Sequence, residues 1–287
     1  MKRIIVPTDF SITAEKAFRL AVDIARKSGG TVLLFHSYIP VESELIETRT
    51  KRSAYNLRME EDIMKKLLRL RKKVAGDSGD VPVSMVVGRS PVIRSILRFA
   101  KDNYADLIVM GTQGASGLKK TVIGSVAARI VEKSTVPVLL VPEKFETIAP
   151  KKMVFATNYQ AADRDALSMT LQLAGYFGAG MTVVHLFDVL SADEDKEAVG
   201  FENYADSIRK AFRRNRIDFQ LCKTASVSHT MESLDQEIPY DLLAMVRRKK
   251  NITEKLFLKS FTRDMAYVTK KPLLVIPANP VPKNLTA

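Results

Sequence analysis

The sequence predicts an α/β protein made of two tandem doubly wound domains. Each is a five-stranded parallel sheet flanked by helices, for which the doubly wound order 3-2-1-4-5 is taken. Three observations carry this. The chain repeats itself, each repeat alternates short apolar strands with helical segments, and the first repeat holds a glycine-rich loop between a strand and a helix. The 287 residues are 46% hydrophobic and 27% charged, an ordinary globular composition that suffices for two cores.

The repeat comes first. KRIIVPTDFSITAEKAFRLAVDIARKSGGTVLLFH from Lys2 aligns without a gap on KKMVFATNYQAADRDALSMTLQLAGYFGAGMTVVH from Lys151. ADLIVMGTQGASGLKKTVIGSVAARIVEKSTVPVLLVP from Ala105 aligns equally on YDLLAMVRRKKNITEKLFLKSFTRDMAYVTKKPLLVIP from Tyr240. The offset changes from 149 to 135 between the two blocks, so the second copy is shorter in its middle. PEKFETIAP, Pro142 to Pro150, reads as a proline-flanked linker, which sets the domains at 1–146 and 147–287.

In the first copy, Ile4 to Pro7 predicts a strand. Ser11 or Thr13 caps a helix whose apolar face includes Ala17, Leu20, Ala21, Ile24 and Ala25, and Gly29-Gly30 ends it. Val32 to Phe35 is a second strand, and a long polar helix runs from about Glu42 to Val74. Val81 to Val87 is a third strand. Ser90 caps the next helix, with Pro91 in its first position. Leu107 to Met110 and Val138 to Val141 complete the set. All-apolar strands alternating with helices mean a Rossmann-like parallel sheet covered on both faces.

Net charge is +13, of which +9 falls in residues 1–146 and +4 in the remainder. The bland reading is a basic solvated surface; the functional one is attraction to nucleotides, nucleic acid or anionic lipid. The run Lys65-Lys66, Arg69, Arg71-Lys72-Lys73 complements the C-terminal dipole of its helix and needs no nucleic-acid partner. A single cysteine, Cys222, allows no internal disulfide. The apolar run at the N-terminus is too short for a signal peptide and no run reaches membrane-spanning length, so the expectation is a soluble cytoplasmic protein. Three histidines and one cysteine without ligand spacing argue against a structural metal site. There is no Walker sequence and no G-x-G-x-x-G, and spacing alone proposes no nucleophile–base–acid set.

The loop MGTQGASGLKKTVIGS, residues 110 to 125, is the sharpest functional signal. In the order 3-2-1-4-5 a ligand sits beyond the carboxyl ends of strands one and four. The loops there are Pro7-Thr8-Asp9 and Gly111 to Ser125. Gly111 and Gly114 can take positive φ and admit a ligand close to the backbone. Gly124-Ser125 opens a helix whose free N–H groups favour an anion.

With G-x2-G-x9-G-S at Gly111, Gly114, Gly124 and Ser125, PTDFS at residues 7 to 11 and VVG ending at Gly88, the sequence resembles the universal stress protein family in its tandem two-domain form. The resemblance covers essentially the whole chain. It implies a stress-response protein that binds an adenine nucleotide, ATP first, with magnesium as an optional companion. Weak ATPase activity is compatible with it, but a binding role ranks ahead of an enzymatic one. It implies that Pro7, Thr8 and Asp9 border adenine and ribose, that Ser37 and Met110 line the base pocket, and that Gly111, Gly114, Gly124, Ser125 and Val126 hold the phosphates. Gln113 stands where many relatives have His; its amide can still donate, without a charge.

The second copy departs from the motif. Asn158 replaces Asp9, Val246, Lys249 and Lys259 replace the three glycines, Lys223 stands at Gly88, and only Ser260 matches Ser125. The second domain is therefore expected to be structural or regulatory. Arg247 to Lys250 reads first as a solvated charge run, second as an anion site. The competing function is a nucleotide-independent scaffold whose basic surface binds nucleic acid, anionic membrane or a protein. The fifth strands, Val138 to Val141 and Leu273 to Ile276, are apolar edges. The resemblance implies that they pair within the chain, and a homodimer stays open beside that.

Overall fold

The computed structural model describes residues 1–42, 48–76, 80–112, 124–146, 149–188, 193–224, 234, 238–248 and 271–278. They fall into two compact units, divided along the main chain between Glu143 and Lys144.

The first unit contains β1 (Arg3–Pro7), α1 (Ile12–Ser28), β2 (Thr31–Tyr38), α2 (Arg49–Ala75), β3 (Val83–Arg89), α3 (Val92–Asp102), β4 (Leu107–Gly111), α4 (Ser125–Lys133) and β5 (Val138–Val141). Its strands are ordered β3-β2-β1-β4-β5 and the pairings are parallel, as expected. Ile4, Ile5, Val6, Leu107, Ile108, Val109 and the whole of β5 are buried, which is why these strands read as continuous apolar runs. Right-handed crossovers put α1 and α2 on one face and α3 and α4 on the other; α1 packs on α2, and α3 on α4.

The second unit contains β6 (Lys152–Ala156), α5 (Ala161–Phe177), β7 (Gly180–Asp188), α6 (Glu194–Ala211), β8 (Ile217–Thr224), β9 (Leu242–Arg247) and β10 (Leu273–Pro277). Its order is β8-β7-β6-β9-β10, again parallel. The register repeats the first unit: Ile4 pairs Val32 and Leu107 as Met153 pairs Met181 and Leu242. In each unit an aspartate before the fourth strand accepts the backbone N–H groups that open the first. Asp106 takes Arg3 N at 3.0 Å, and Asp241 takes Lys152 N at 2.9 Å.

Local chemistry corrects several boundaries. Ser11, not Thr13, caps α1, accepting from Ala14 N at 3.2 Å. Gly29 ends the helix in the left-handed conformation at φ 61°. The long helix begins at Arg49 with Thr48 as its cap, several residues later than expected; residues 43–47 lie outside the described set. Pro91 is itself the N-cap of α3 rather than its first helical residue, and makes no side-chain cap bond. Ser90 instead offers its carbonyl to the Ser37 hydroxyl at 2.6 Å. The third strands also shift the alignment. Ser37 faces Gly88 on β3, while its counterpart Leu186 faces Cys222 on β8, so Cys222 and not Lys223 holds the position of Gly88. A Cβ at Gly88 would come within 2.6 Å of the Phe35 ring and the Ser95 hydroxyl, so packing demands the glycine there.

Candidate functional site

β1 ends at Pro7, and the chain turns sharply into α1. Thr8 N donates to Phe35 O at 2.9 Å, Phe10 N to Thr8 Oγ1 at 3.0 Å, and Ser11 N to Asp9 Oδ1 at 3.1 Å. Phe10 sits at φ 66°, strained for a residue with a Cβ. Its ring lies 4.8 Å from that of His36, whose Nδ1 is 2.7 Å from Thr8 O. Five separate contacts thus hold the turn.

This turn, the end of β4 and the start of α4 enclose a cavity of about 290 Å³. The structure brings Pro7, Thr8, Asp9, Ser37, Met110, Gly111, Gly124, Ser125 and Val126 to its wall. Gln113 and Gly114 lie outside the described residues. Ala14, Val92 and Ile96 add apolar surface that the sequence reading missed, and Thr112 adds a hydroxyl. Helical periodicity marks Val92 and Ile96 as one apolar face; nothing short of the fold says that the face closes a cavity.

The glycines are explained differently from the expectation. Gly111 does not have positive φ. A Cβ there would lie 2.8 Å from Thr13 Oγ1 and 2.9 Å from Thr13 Cβ, so the glycine lets the first turn of α1 sit against β4. Gly124 is at φ −59°, extended backbone open to any residue, and caps α4 without a side-chain bond. Gly124 N donates to Thr112 O at 2.7 Å, and Thr112 N to Val141 O at 3.0 Å.

Two features give the cavity its chemistry. The first N–H groups of α4 receive no side-chain cap and stand at the wall with the helix dipole behind them. Beside them Thr112, 4% exposed, has a hydroxyl that no described residue hydrogen-bonds. An unpaired buried hydroxyl costs about 1–3 kcal/mol, which a ligand at this wall would recover. At the rim, Asp9 supplies an exposed carboxylate. No group of three or more His, Cys, Asp or Glu that could hold a metal occurs among the described residues.

Away from the cavity, Glu60 on α2 accepts from Tyr38 at 2.6 Å and from Arg89 at 2.7 Å, tying α2 to β2 and β3. The Arg89 hydrogen bond leads in holding the Glu60 carboxyl at about 2, against the burial that would raise it. Burial, with Glu60 beside it, pushes the Tyr38 phenol up.

The second unit builds the same turn. Tyr159 is at φ 59°, Thr157 Oγ1 accepts Tyr159 N at 3.1 Å, and His185 Nδ1 lies 2.8 Å from Thr157 O. Beyond the turn the chemistry changes. Asp163, aligned with Ala14, is fully buried and accepts from the Thr157 hydroxyl at 2.8 Å and from Asn158 N at 2.9 Å. Arg248, aligned with Gln113, forms an ion pair with it. Where the first unit presents an alanine at a cavity wall, the second presents a charge already neutralised by its own chain. His185 also reaches Glu197 at 3.1 Å, and Tyr159 points its hydroxyl at the same carboxylate from 3.5 Å. Burial chiefly, and the Glu197 charge next, push the Tyr159 phenol up.

Fold and cavity define a doubly wound α/β module with a cavity beyond the carboxyl ends of its strands. The family model described as the universal stress protein family matches residues 1–142. A universal stress protein of Methanocaldococcus jannaschii is 32% identical over 149 residues, covering 49% of this chain and 81% of the relative. One from Thermus aquaticus is 31% identical over 146 residues, 49% of this chain and 98% of the relative. The crystal structure of a universal stress protein from Archaeoglobus fulgidus superposes with TM-score 0.71 at 15% identity, over 96% of this chain and 98% of that one, a likeness of fold. The chain belongs to the universal stress protein family. No helix among its described residues is long and apolar enough to cross a membrane.

Proposed function

We propose that the first unit binds an adenine nucleotide, ATP foremost, in the cavity between the ends of β1 and β4, and that the second unit does not. The observation that carries this is the Thr112 hydroxyl, buried without a partner among the described residues, beside the uncapped N-terminus of α4. A phosphate would accept from both, and the Ser125 hydroxyl would add a third donor. The apolar wall of Ala14, Val92, Ile96 and Met110 suits a planar base. Asp9, at the rim, suits ribose hydroxyls: its Oδ1 takes one backbone N–H, and a carboxylate has further lone pairs. Membership of the family supports the choice of adenine.

The proposal assigns binding and no chemical step. Any magnesium ion would neutralise phosphate charge, held by the nucleotide rather than by a cluster of side chains. The test is calorimetric titration of the whole protein and of Ser125→Glu with ATP. Ser125 is exposed in the first turn of α4, where an acid suits the helix dipole, so the variant folds. Its carboxylate would meet the phosphates, and affinity should fall at least about tenfold. Unchanged affinity in the variant would move the phosphates elsewhere.

A further inference from the structure

The opposite end of α4 holds a second feature. Pro91, Ile93, Arg94, Leu97, Arg98 and Lys101 from the α3 side, with Arg129, Lys133 and Val136 from the α4 side, line an open groove of about 740 Å³. Five of these residues are cations. Asp102 is the acid in the lining, and it engages Arg98 at 3.4 Å. Arg94, Lys101, Arg129 and Lys133 are exposed and form no ion pair among the described residues. Ile93, Leu97 and Val136 give the lining its apolar part and are less exposed than the cations.

The spacing is that of a site for a chain, not for a single ion. On α3 the cations stand at positions 94, 98 and 101, about 6 and then 4.5 Å apart along the axis. On α4, positions 129 and 133 are again about 6 Å apart. The charged positions are spread along two helices rather than gathered in one turn. A concave groove with recessed apolar residues does not fit a flat membrane surface, which takes protruding apolar side chains. A chain alternating anionic groups with less polar ones fits both the cations and the apolar part of the lining.

We propose that the groove between α3 and α4 binds the sugar–phosphate backbone of a single-stranded nucleic acid, without sequence preference and independently of the nucleotide cavity. The phosphates lie along the two cation rows, and the sugars cover Ile93, Leu97 and Val136. With no aromatic platform in the lining, affinity comes from phosphate contacts and is modest and strongly salt-dependent.

Fluorescence anisotropy of a labelled oligouridylate of about a dozen nucleotides tests this with the full chain. Four to five phosphate contacts predict a slope of log affinity against log salt near about −3. Replacing Arg94, Lys101, Arg129 and Lys133 by Glu should abolish binding. The milder replacement of the same four by Gln should weaken it at least about tenfold and flatten the slope. All four are exposed, and circular dichroism checks that both variants fold. The control reverses the same number of charges on α2, at Arg58, Lys65, Arg69 and Lys72, and should keep most of the binding. Excess ATP should not displace the oligonucleotide. Absence of binding at low salt, equal loss in the α2 control, displacement by ATP, or binding of inorganic polyphosphate without the oligonucleotide would each overturn the proposal.

Discussion

Phe10 and Tyr159 occupy the same left-handed position, each with its N–H on a threonine hydroxyl and its ring against a histidine. A strained residue beside a cavity invites a ligand-dependent explanation. The second unit removes that explanation, because it keeps the strain and changes what lies beyond it. The turn is architecture: it carries the chain from the first strand into the first helix in both copies. What distinguishes the units is one step further on, where Ala14 lines a cavity and its counterpart Asp163 pairs with Arg248. On the proposed reading a repeat loses a site without losing its fold, by supplying the bound partner from its own sequence.

The largest expected effect comes from moving that pair into the first unit. Ala14→Asp with Gln113→Arg copies the pair, and should lower ATP affinity at least about a hundredfold in a titration of folded protein. Unchanged affinity would mean that the pair is not what separates the copies. Next is the reverse experiment. Arg248→Ala leaves the fully buried Asp163 carboxylate without its cation, and thermal unfolding should show the second unit weakened by about 2–3 kcal/mol. Adding Asp163→Ala should return part of the loss; strict additivity of the two would show that they do not act as a pair.

Thr112→Val sharpens the contrast more gently. Removing an unpaired buried hydroxyl should stabilise the ligand-free first unit by about 1 kcal/mol and weaken ATP binding about tenfold. A loss of stability would show the hydroxyl to be satisfied. The smallest effect is in acid. Glu60 is depressed in the folded state from its usual 4.5 to about 2, so its contribution is complete above about 4.5 and disappears as pH falls through about 2. Glu60→Gln should flatten the stability of the first unit across that window and leave the second unit's acid response unchanged. An identical pH profile in parent and variant would remove Glu60 from the account.

The alternation of strands and helices was legible in the sequence because it follows from periodicity and the repeat, and the doubly wound order, once taken, brings Pro7-Thr8-Asp9 to Gly111. What was not legible depends on contacts made across the fold. The need for Gly111 lies in Thr13, on another element, and not in its own dihedral angles. Asp163 and Arg248 are 85 residues apart, and neither looks unusual until folding joins them. The Ala14-to-Asp163 change was nevertheless present in the aligned copies, and a buried acid facing an aligned alanine was the available signal. Cys222 and not Lys223 holds the Gly88 position because the offset between the copies is 134 at the third strand, Gly88 to Cys222, and 135 at the fourth, Leu107 to Leu242, so a one-residue gap falls after the third strand, where apolar runs cannot fix register by themselves.

The central claim is that one repeat keeps a nucleotide site and the other has closed its own. Counting ATP molecules per chain by calorimetry at saturating nucleotide tests it most directly. The account predicts one. Two equivalent sites, or none at millimolar ATP, would contradict it.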